Sequence, residues 1–304
     1  MNGSPRLFDR ALLRTRAHRA AGSRNNNFLL QRAAEDLTER LQTVTRDFEH
    51  GLDLGTPGEA LRRALAATDR VPRLIACEPL AALRDPALGP RVAVDEEVLP
   101  FADGAFDLVV SALALHWVND LPGALIQIRR ALRPDGLFLA VLAGGETLTE
   151  LRQSLAAAEA EIEGGVSPRV APFIEVRALG ALLQRAGFAL PVTDVDRVTV
   201  RYSGLGTLFR DLREMGATNA LVERRRTPLR RETLARAAAI YAERFADPDG
   251  KLRATFDLLS ISAWAPAESQ QQPLRPGSAR MRLADALGTK ELPAGEKAGS
   301  RRED

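Results

Sequence analysis

The stretch Gly51-Leu52-Asp53-Leu54-Gly55-Thr56-Pro57-Gly58 constrains this chain more than any other. A short apolar run meets Gly55, where the backbone can turn without a Cβ penalty. Thr56 and Glu59 have the spacing of a capping box and Pro57 suits a first helical turn, which predicts a helix over 59–67. Strand, glycine turn, helix opens a nucleotide-binding α/β sheet. It is equally the form of a plain, well-capped strand–helix connection.

The order of events downstream separates the two. A second apolar run, 74–77, ends in Glu78, about twenty residues past the turn, where a carboxylate can take both hydroxyls of a ribose. A third, 91–94, ends in Asp95, Glu96 and Glu97. A fourth, 106–111, ends at Ser111. A fifth, 136–142, follows a helix over 121–132 and the turn Arg133-Pro134-Asp135-Gly136. Acids at successive strand ends place ligand contacts along the carboxyl edge of one parallel sheet. The candidate cofactor-binding residues are Asp53, Gly55, Thr56, Glu78, Asp95, Glu96 and Ser111.

The ligand can be narrowed. Neither the G-x-G-x-x-G spacing nor a G-x-x-x-x-G-K-[ST] loop is present. Pro57 removes an amide donor and Glu59 adds negative charge, both unfavourable to a pyrophosphate at a helix start. An adenosine ligand without negative charge suits the acidic rim, and S-adenosyl-L-methionine has that charge pattern.

On Leu52-Asp53-Leu54-Gly55, Glu78, Leu99-Pro100-Phe101, Phe106-Asp107-Leu108-Val109-Val110-Ser111 and Leu132-Arg133-Pro134-Asp135-Gly136, the chain resembles the class I S-adenosylmethionine-dependent methyltransferases. The resemblance implies an α/β fold: a Rossmann-like, doubly wound, mostly parallel seven-stranded sheet with helices on both faces. One strand is reversed, and a helical insertion over about 205–250 precedes the last strand. Phe8-Asp9-Arg10, Ala114-Leu115-His116-Trp117-Val118-Asn119-Asp120, Gly144-Gly145-Glu146-Thr147-Leu148 and Glu268-Ser269-Gln270 are similar to the respiratory complex I assembly factor 5 group and its bacterial relatives. That resemblance implies a methyltransferase-fold enzyme in complex I assembly, with a protein substrate (a complex I subunit) or a small-molecule acceptor. It also brings two alternatives: an arginine hydroxylase acting on a complex I subunit, or a non-catalytic assembly factor. The superfamily's first loop reads D-x-G-x-G-x-G, and here Pro57 and Glu59 replace its second and third glycines.

Across 304 residues, 45% hydrophobic and 27% charged, composition is that of an ordinary globular chain. A net charge of +2, with no stripe of basic residues interleaved with aromatics, argues against nucleic acid. No apolar run reaches the length of a membrane span. The single cysteine, Cys77, lies in an apolar run and fits a reducing compartment. Expected organisation is a basic arm over 1–27, a methyltransferase-like domain over 28–266 and a disordered tail over 267–304. The arm is Arg-rich, as in a transit peptide. Phe8-Asp9-Arg10 already matches the family, so the bacterial cytoplasm is expected, or the matrix side of mitochondria in a eukaryote. Further elements expected are a helix from Phe28 capped by Asn27, a short helix over 80–84, one over 148–162 capped by Thr147 or Thr149, and one over 176–186 closed by Gly187. Strands are expected over 192–202, irregular near 194–196, and over 255–264, with helices over 206–215 and 231–245. Arg224-Arg225-Arg226 reads as a solvated face or a dock for an acidic partner.

Methyl transfer is an in-line displacement in which positioning supplies most of the catalysis, so no obligatory acid or base need be visible. His116 and Asn119, just past the fourth strand, are the candidates for orienting or deprotonating an acceptor. Alternatively His116 and Trp117 pack the strand–helix corner while Asn119 or Asp120 caps the next helix. His18, His50 and His116 lie far apart and no His-x-Asp or His-x-Glu pair occurs, so no metal site is expected.

Overall fold

Short apolar runs buried on both faces are what a central parallel strand requires. The computed structural model, which describes residues 6–21, 27–78, 86–271, 278 and 281–290, places them side by side. β1 (His50–Leu54), β2 (Arg73–Glu78), β3 (Arg91–Ala93), β4 (Phe106–Ala112) and β5 (Leu132–Gly144) run parallel. β6 (Ala189–Tyr202) and β7 (Leu252–Trp264) complete a seven-stranded sheet of order β3-β2-β1-β4-β5-β7-β6. β7 lies antiparallel to both neighbours, the reversed strand that the family resemblance implied. The order reverses between β1 and β4, and open α/β sheets bind ligands in the crevice beyond the carboxyl ends at such a point.

Alternation along β4 and β5 divides the core. Leu108, Val110 and Leu139 meet Leu37 and Leu41 of α2 (Phe28–Thr43) and Leu61 and Leu65 of α3 (Ala60–Ala66). Val109 and Phe138 meet Leu125 and Ile128 of α4 (Leu121–Ala131) and Leu179 and Leu183 of α6 (Val176–Arg185) on the other face. α5 (Thr149–Glu163), α7 (Leu205–Glu214) and α8 (Arg231–Phe245) form a third cluster with Phe256 near the start of β7, built on Leu155, Leu208, Ile240 and Tyr241. α1 (Arg10–Ala21) precedes them all.

The described residues within 1–267 form one compact unit. A second, 268–304, holds α9 (Leu283–Leu287), a single helical turn where the sequence suggested no structure; 291–304 lie outside the described residues.

Several local expectations are corrected. Gly55 and Gly58 both take left-handed φ angles, +73° and +76°, so the loop runs on and α3 starts only at Ala60. Glu59 stands at its cap position without a side-chain cap bond, and the expected capping box does not form. Leu148, at φ +55°, precedes α5, and neither Thr147 nor Thr149 caps it; Thr147 Oγ1 accepts from the Asp257 amide at 3.0 Å instead. The irregularity of β6 lies between Ala189 and Val192 rather than near 194–196. β5 begins at Leu132, with the Pro134-Asp135 turn inside its bounds. The helix expected at 80–84 lies outside the described residues, and a 3-10 turn, Pro86–Leu88, follows. Asn27 does cap α2, Asp120 caps α4, and Gly187 at φ +84° follows α6. The arginine run is only partly solvated: Arg224 pairs with Asp9 at 3.1 Å and Arg225 with Glu163.

Candidate active site

β1 ends at Gly55, whose amide donates to the Cys77 carbonyl at 2.6 Å and ties the tips of β1 and β2 together. Glycine is required there twice over. Its φ of +73° disfavours any Cβ, and a Cβ would lie 2.8 Å from Glu96 Oε1 and 2.9 Å from the Cβ of Ala114.

Each expected acid reaches the edge with an arginine against it. Asp53, 2% exposed, has Arg62 Nε of α3 at 3.7 Å, and Arg62 is equally buried. Glu78 Oε1 at the end of β2 accepts from Arg91 Nη1 at 3.2 Å. The other nitrogen of that guanidinium reaches Glu59 at 3.1 Å, so the residue replacing the third glycine shares a cation with the ribose candidate. Asp95 accepts from Arg10 at 2.9 Å and pairs with Arg14; Glu96 pairs with Arg10. Burial raises the Asp95 carboxyl, but the Glu97 amide, Arg10 and Arg14 outweigh it and hold it below its ordinary range. Glu96 is the reverse case: burial dominates and keeps it above the ordinary range in spite of Arg10. Cys77 is buried between these acids, and desolvation with the charges of Asp53 and Glu96 pushes its thiol up to about 12.

Two expected ligand contacts are spent inside the sheet. Ser111 Oγ donates to the Leu54 carbonyl at 2.7 Å, and Thr56 Oγ1 accepts from the Ala112 amide at 2.9 Å. Both stitch β4 to β1 and support the edge from beneath. Asn119 is corrected likewise: its side chain accepts from the Phe8 amide at 2.7 Å and anchors the N-terminal segment.

Beside the acidic edge lies a cavity of about 310 Å³, within the range of small-molecule sites. Leu113, Trp117, Phe173, Phe209, Leu212 and Phe256 give it an apolar wall, and Pro57 from the first loop also faces it. Leu113, at φ +51°, sets the sharp turn out of β4, a strained geometry for a non-glycine residue that recurs at functional sites. The next turn delivers His116 to the same wall. His116 Nδ1 faces the Ala143 amide at 3.4 Å, which leaves the proton of the neutral ring on Nε2. Burial pushes the imidazole down to about 3. Arg169 and Arg213 are the charged residues of the lining, and no described carboxylate joins them. Arg169 is fixed by Glu159, itself fully buried and bonded to the Ser167 amide at 2.8 Å and hydroxyl at 3.0 Å. Among the described residues no group of three His, Cys, Asp or Glu side chains is placed to hold a metal.

The sequence reading missed Arg10, Arg14, Arg62 and Arg91, because ion pairs across such separations carry no local signature. Phe8-Asp9-Arg10 was the one available hint. It also missed the cavity wall from α7, whose apolar stripe reads as ordinary core.

The Methyltransferase domain family matches residues 52–140, the glycine turn through β5. A zebrafish (Danio rerio) protein, Arginine-hydroxylase NDUFAF5, mitochondrial, is 40% identical over 92% of this chain and 89% of its own length. The chain belongs to this methyltransferase-fold family. The human protein of the same name is 39% identical over 93% of this chain and 84% of its own. A second branch of relatives carries a different name: the Malonyl-[acyl-carrier protein] O-methyltransferase of Xylella fastidiosa is 36% identical over 88% of this chain and 90% of its own. The YcgJ protein of Bacillus subtilis shares the fold, with a TM-score of 0.52 at 15% identity over 77% of this chain and 99% of that one. The fold is that of the class I S-adenosylmethionine-dependent methyltransferases, an enzyme fold.

The donors of the edge fit such a cofactor in kind: a glycine tip on β1 and carboxylates at the ends of β2 and β3, where an adenosine's hydroxyls and amine can be bonded. The first loop differs from the superfamily's, since Pro57 stiffens it and Glu59 brings Arg91 across Glu78.

Proposed function

We propose that this protein binds S-adenosyl-L-methionine through Gly55, Glu78, Asp95 and Glu96 and transfers its methyl group to an acceptor held in the neighbouring apolar cavity. The juxtaposition carries this reading: one loop supplies Gly55 to the acidic edge and Pro57 to the cavity wall. The cofactor, when bound, supplies the electrophilic methyl group. The chain's own residues orient the acceptor and exclude water from it. With its proton on Nε2 and so low a basicity, His116 serves as a neutral hydrogen-bond donor that positions the acceptor, not as a base. Arg169 and Arg213, without a carboxylate in the lining, suit a neutral or anionic acceptor better than a guanidinium.

Calorimetric titration with S-adenosylhomocysteine tests this reading. Saturable binding is expected well below about 1 mM and is weakened by Glu78→Ala; silence at about 1 mM overturns it.

The relatives favour a second reading. Identities of 38–40% to proteins named arginine-hydroxylase, over most of both chains, support work on a protein substrate in respiratory complex I assembly, in the bacterial cytoplasm or the mitochondrial matrix. Mass spectrometry of complex I subunits from a deletion strain separates the chemistries: a missing methyl increment supports transfer, a missing oxygen on arginine supports hydroxylation. Unchanged peptides count against both.

A further inference from the structure

α1 is held unlike any other helix of the first unit. None of its described side chains is fully buried, whereas α2 buries six. Its hold is largely polar, with Leu13 packed against the apolar side chains of Phe8, Ala171 and Leu221. At the anchor end, the Asp9 amide donates to the Ala220 carbonyl at 2.8 Å and the Val222 amide to the Leu7 carbonyl at 2.9 Å. Asn119 fixes Phe8, which is buried and packs edge-on against Trp117 at 5.3 Å. Asp9 accepts from the Leu12 amide at 3.0 Å and opens the helix. On the side of the helix that faces the sheet edge, Arg10, its first residue, bridges Asp95, Glu96 and the Trp117 carbonyl, and Arg14, one turn on, adds a second cation to Asp95. Glu96, so held, lies with Oε1 over Gly55. Any adenosine laid against Gly55 and Asp95 meets these same side chains.

We propose that the N-terminal segment, residues 6–21, is a latch on the cofactor cleft: Arg10 and Arg14 occupy the carboxylates that a cationic adenosine ligand must reach, so ligand entry and release of α1 are one event. The inference rests on the cofactor reading above and adds its regulation. Phe8 and Asn119 keep the segment tethered while the Arg10 and Arg14 side chains leave the carboxylates and α1 loosens. Arg10 also donates to the carbonyl of Trp117, a residue of the cavity wall, so its departure loosens the acceptor side as well. A site that must first shed its own cations binds with an affinity reduced by the fraction of time the latch is open.

The test uses the full chain, S-adenosylhomocysteine as probe, and two readouts: calorimetric affinity and hydrogen exchange of the 10–21 amides. In the wild type, bound ligand speeds exchange across α1. Arg10→Gln and the milder Arg14→Gln raise affinity, by roughly tenfold if the latch is open about a tenth of the time, and make α1 exchange fast without ligand. Arg236→Gln, which loses only a partly exposed ion pair with Glu161 away from α1 and the edge, serves as the control and leaves affinity near the wild-type value. Slower or unchanged exchange on binding, or weaker binding by both edge variants, overturns the latch while the cofactor reading stands. Fast α1 exchange in the variants with no binding by any protein overturns the cofactor reading, and the latch with it.

Discussion

The two halves of the sheet's carboxyl edge are built on opposite principles. From β1 to β3 every expected acid carries an arginine from elsewhere in the chain: Arg62, Arg91, Arg10 and Arg14. Beyond β4 the wall turns apolar, and an ion pair within it, Glu159 with Arg169, holds a loop in place. The acidic half is charged yet internally neutralised, so its readiness for a ligand depends on which cations can leave. The apolar half is shaped by packing, so its readiness depends on what volume it presents and on how few polar groups interrupt it. Of these pairs Arg14 with Asp95 lies at a partly exposed rim, where charge pairs are worth little individually and exchange partners readily; a packed wall does not.

The largest expected effect strikes the packed half. Glu159→Ala leaves the Arg169 guanidinium and two Ser167 donors beside the cavity without their acceptor, and should cost about 3–5 kcal/mol in urea unfolding. A loss below about 1 kcal/mol would show that this wall is no stiffer than the acidic rim. Next comes His116. Its folded value of about 3 lies below the ordinary 6.5, so the unfolded chain takes up the proton first and stability is lost as pH falls from about 6.5 towards 3. Against the wild type, His116→Gln should flatten that limb by roughly 2–3 kcal/mol at pH 4.5, where the depressed Glu159 carboxyl, present in both proteins, cancels from the difference. Equal slopes for both proteins would refute the neutral, half-buried ring.

On the acidic half, Gly55→Ala should cost about 1–2 kcal/mol from the left-handed backbone alone, and it pushes Glu96 off the tip of β1. Thermal unfolding measures the cost, and S-adenosylhomocysteine titration shows whether the tip is where the ligand lies. The smallest effect is a control in neither half: Asp120→Ala removes the cap of α4 and should cost about 1 kcal/mol without changing ligand binding. A change in binding there would mean that the corner after β4 transmits strain to the site.

Much of the sheet was legible because parallel strands buried on both faces are written as near-continuous apolar runs, as Leu108 through Val110 are within β4. Caps with one strong local partner were legible too, at Asn27 and Asp120. Where local signals competed with tertiary ones, the tertiary ones prevailed. Thr56 left its capping role to accept from Ala112, and Thr147 left its own for the Asp257 amide. Asn119, read as a site residue, serves the N-terminal segment instead.

The chain's order of residues determined by itself that a glycine turn would lead an acidic carboxyl edge, because both properties follow from backbone freedom and from charges at strand ends. Only the tertiary structure decided that those acids would be met by the protein's own arginines, and that β4, β5 and the helices after them would enclose an apolar chamber beside them. Side chains from α1, α3 and β3 converge there across long sequence separations, and only the folded path of the chain fixes such distances.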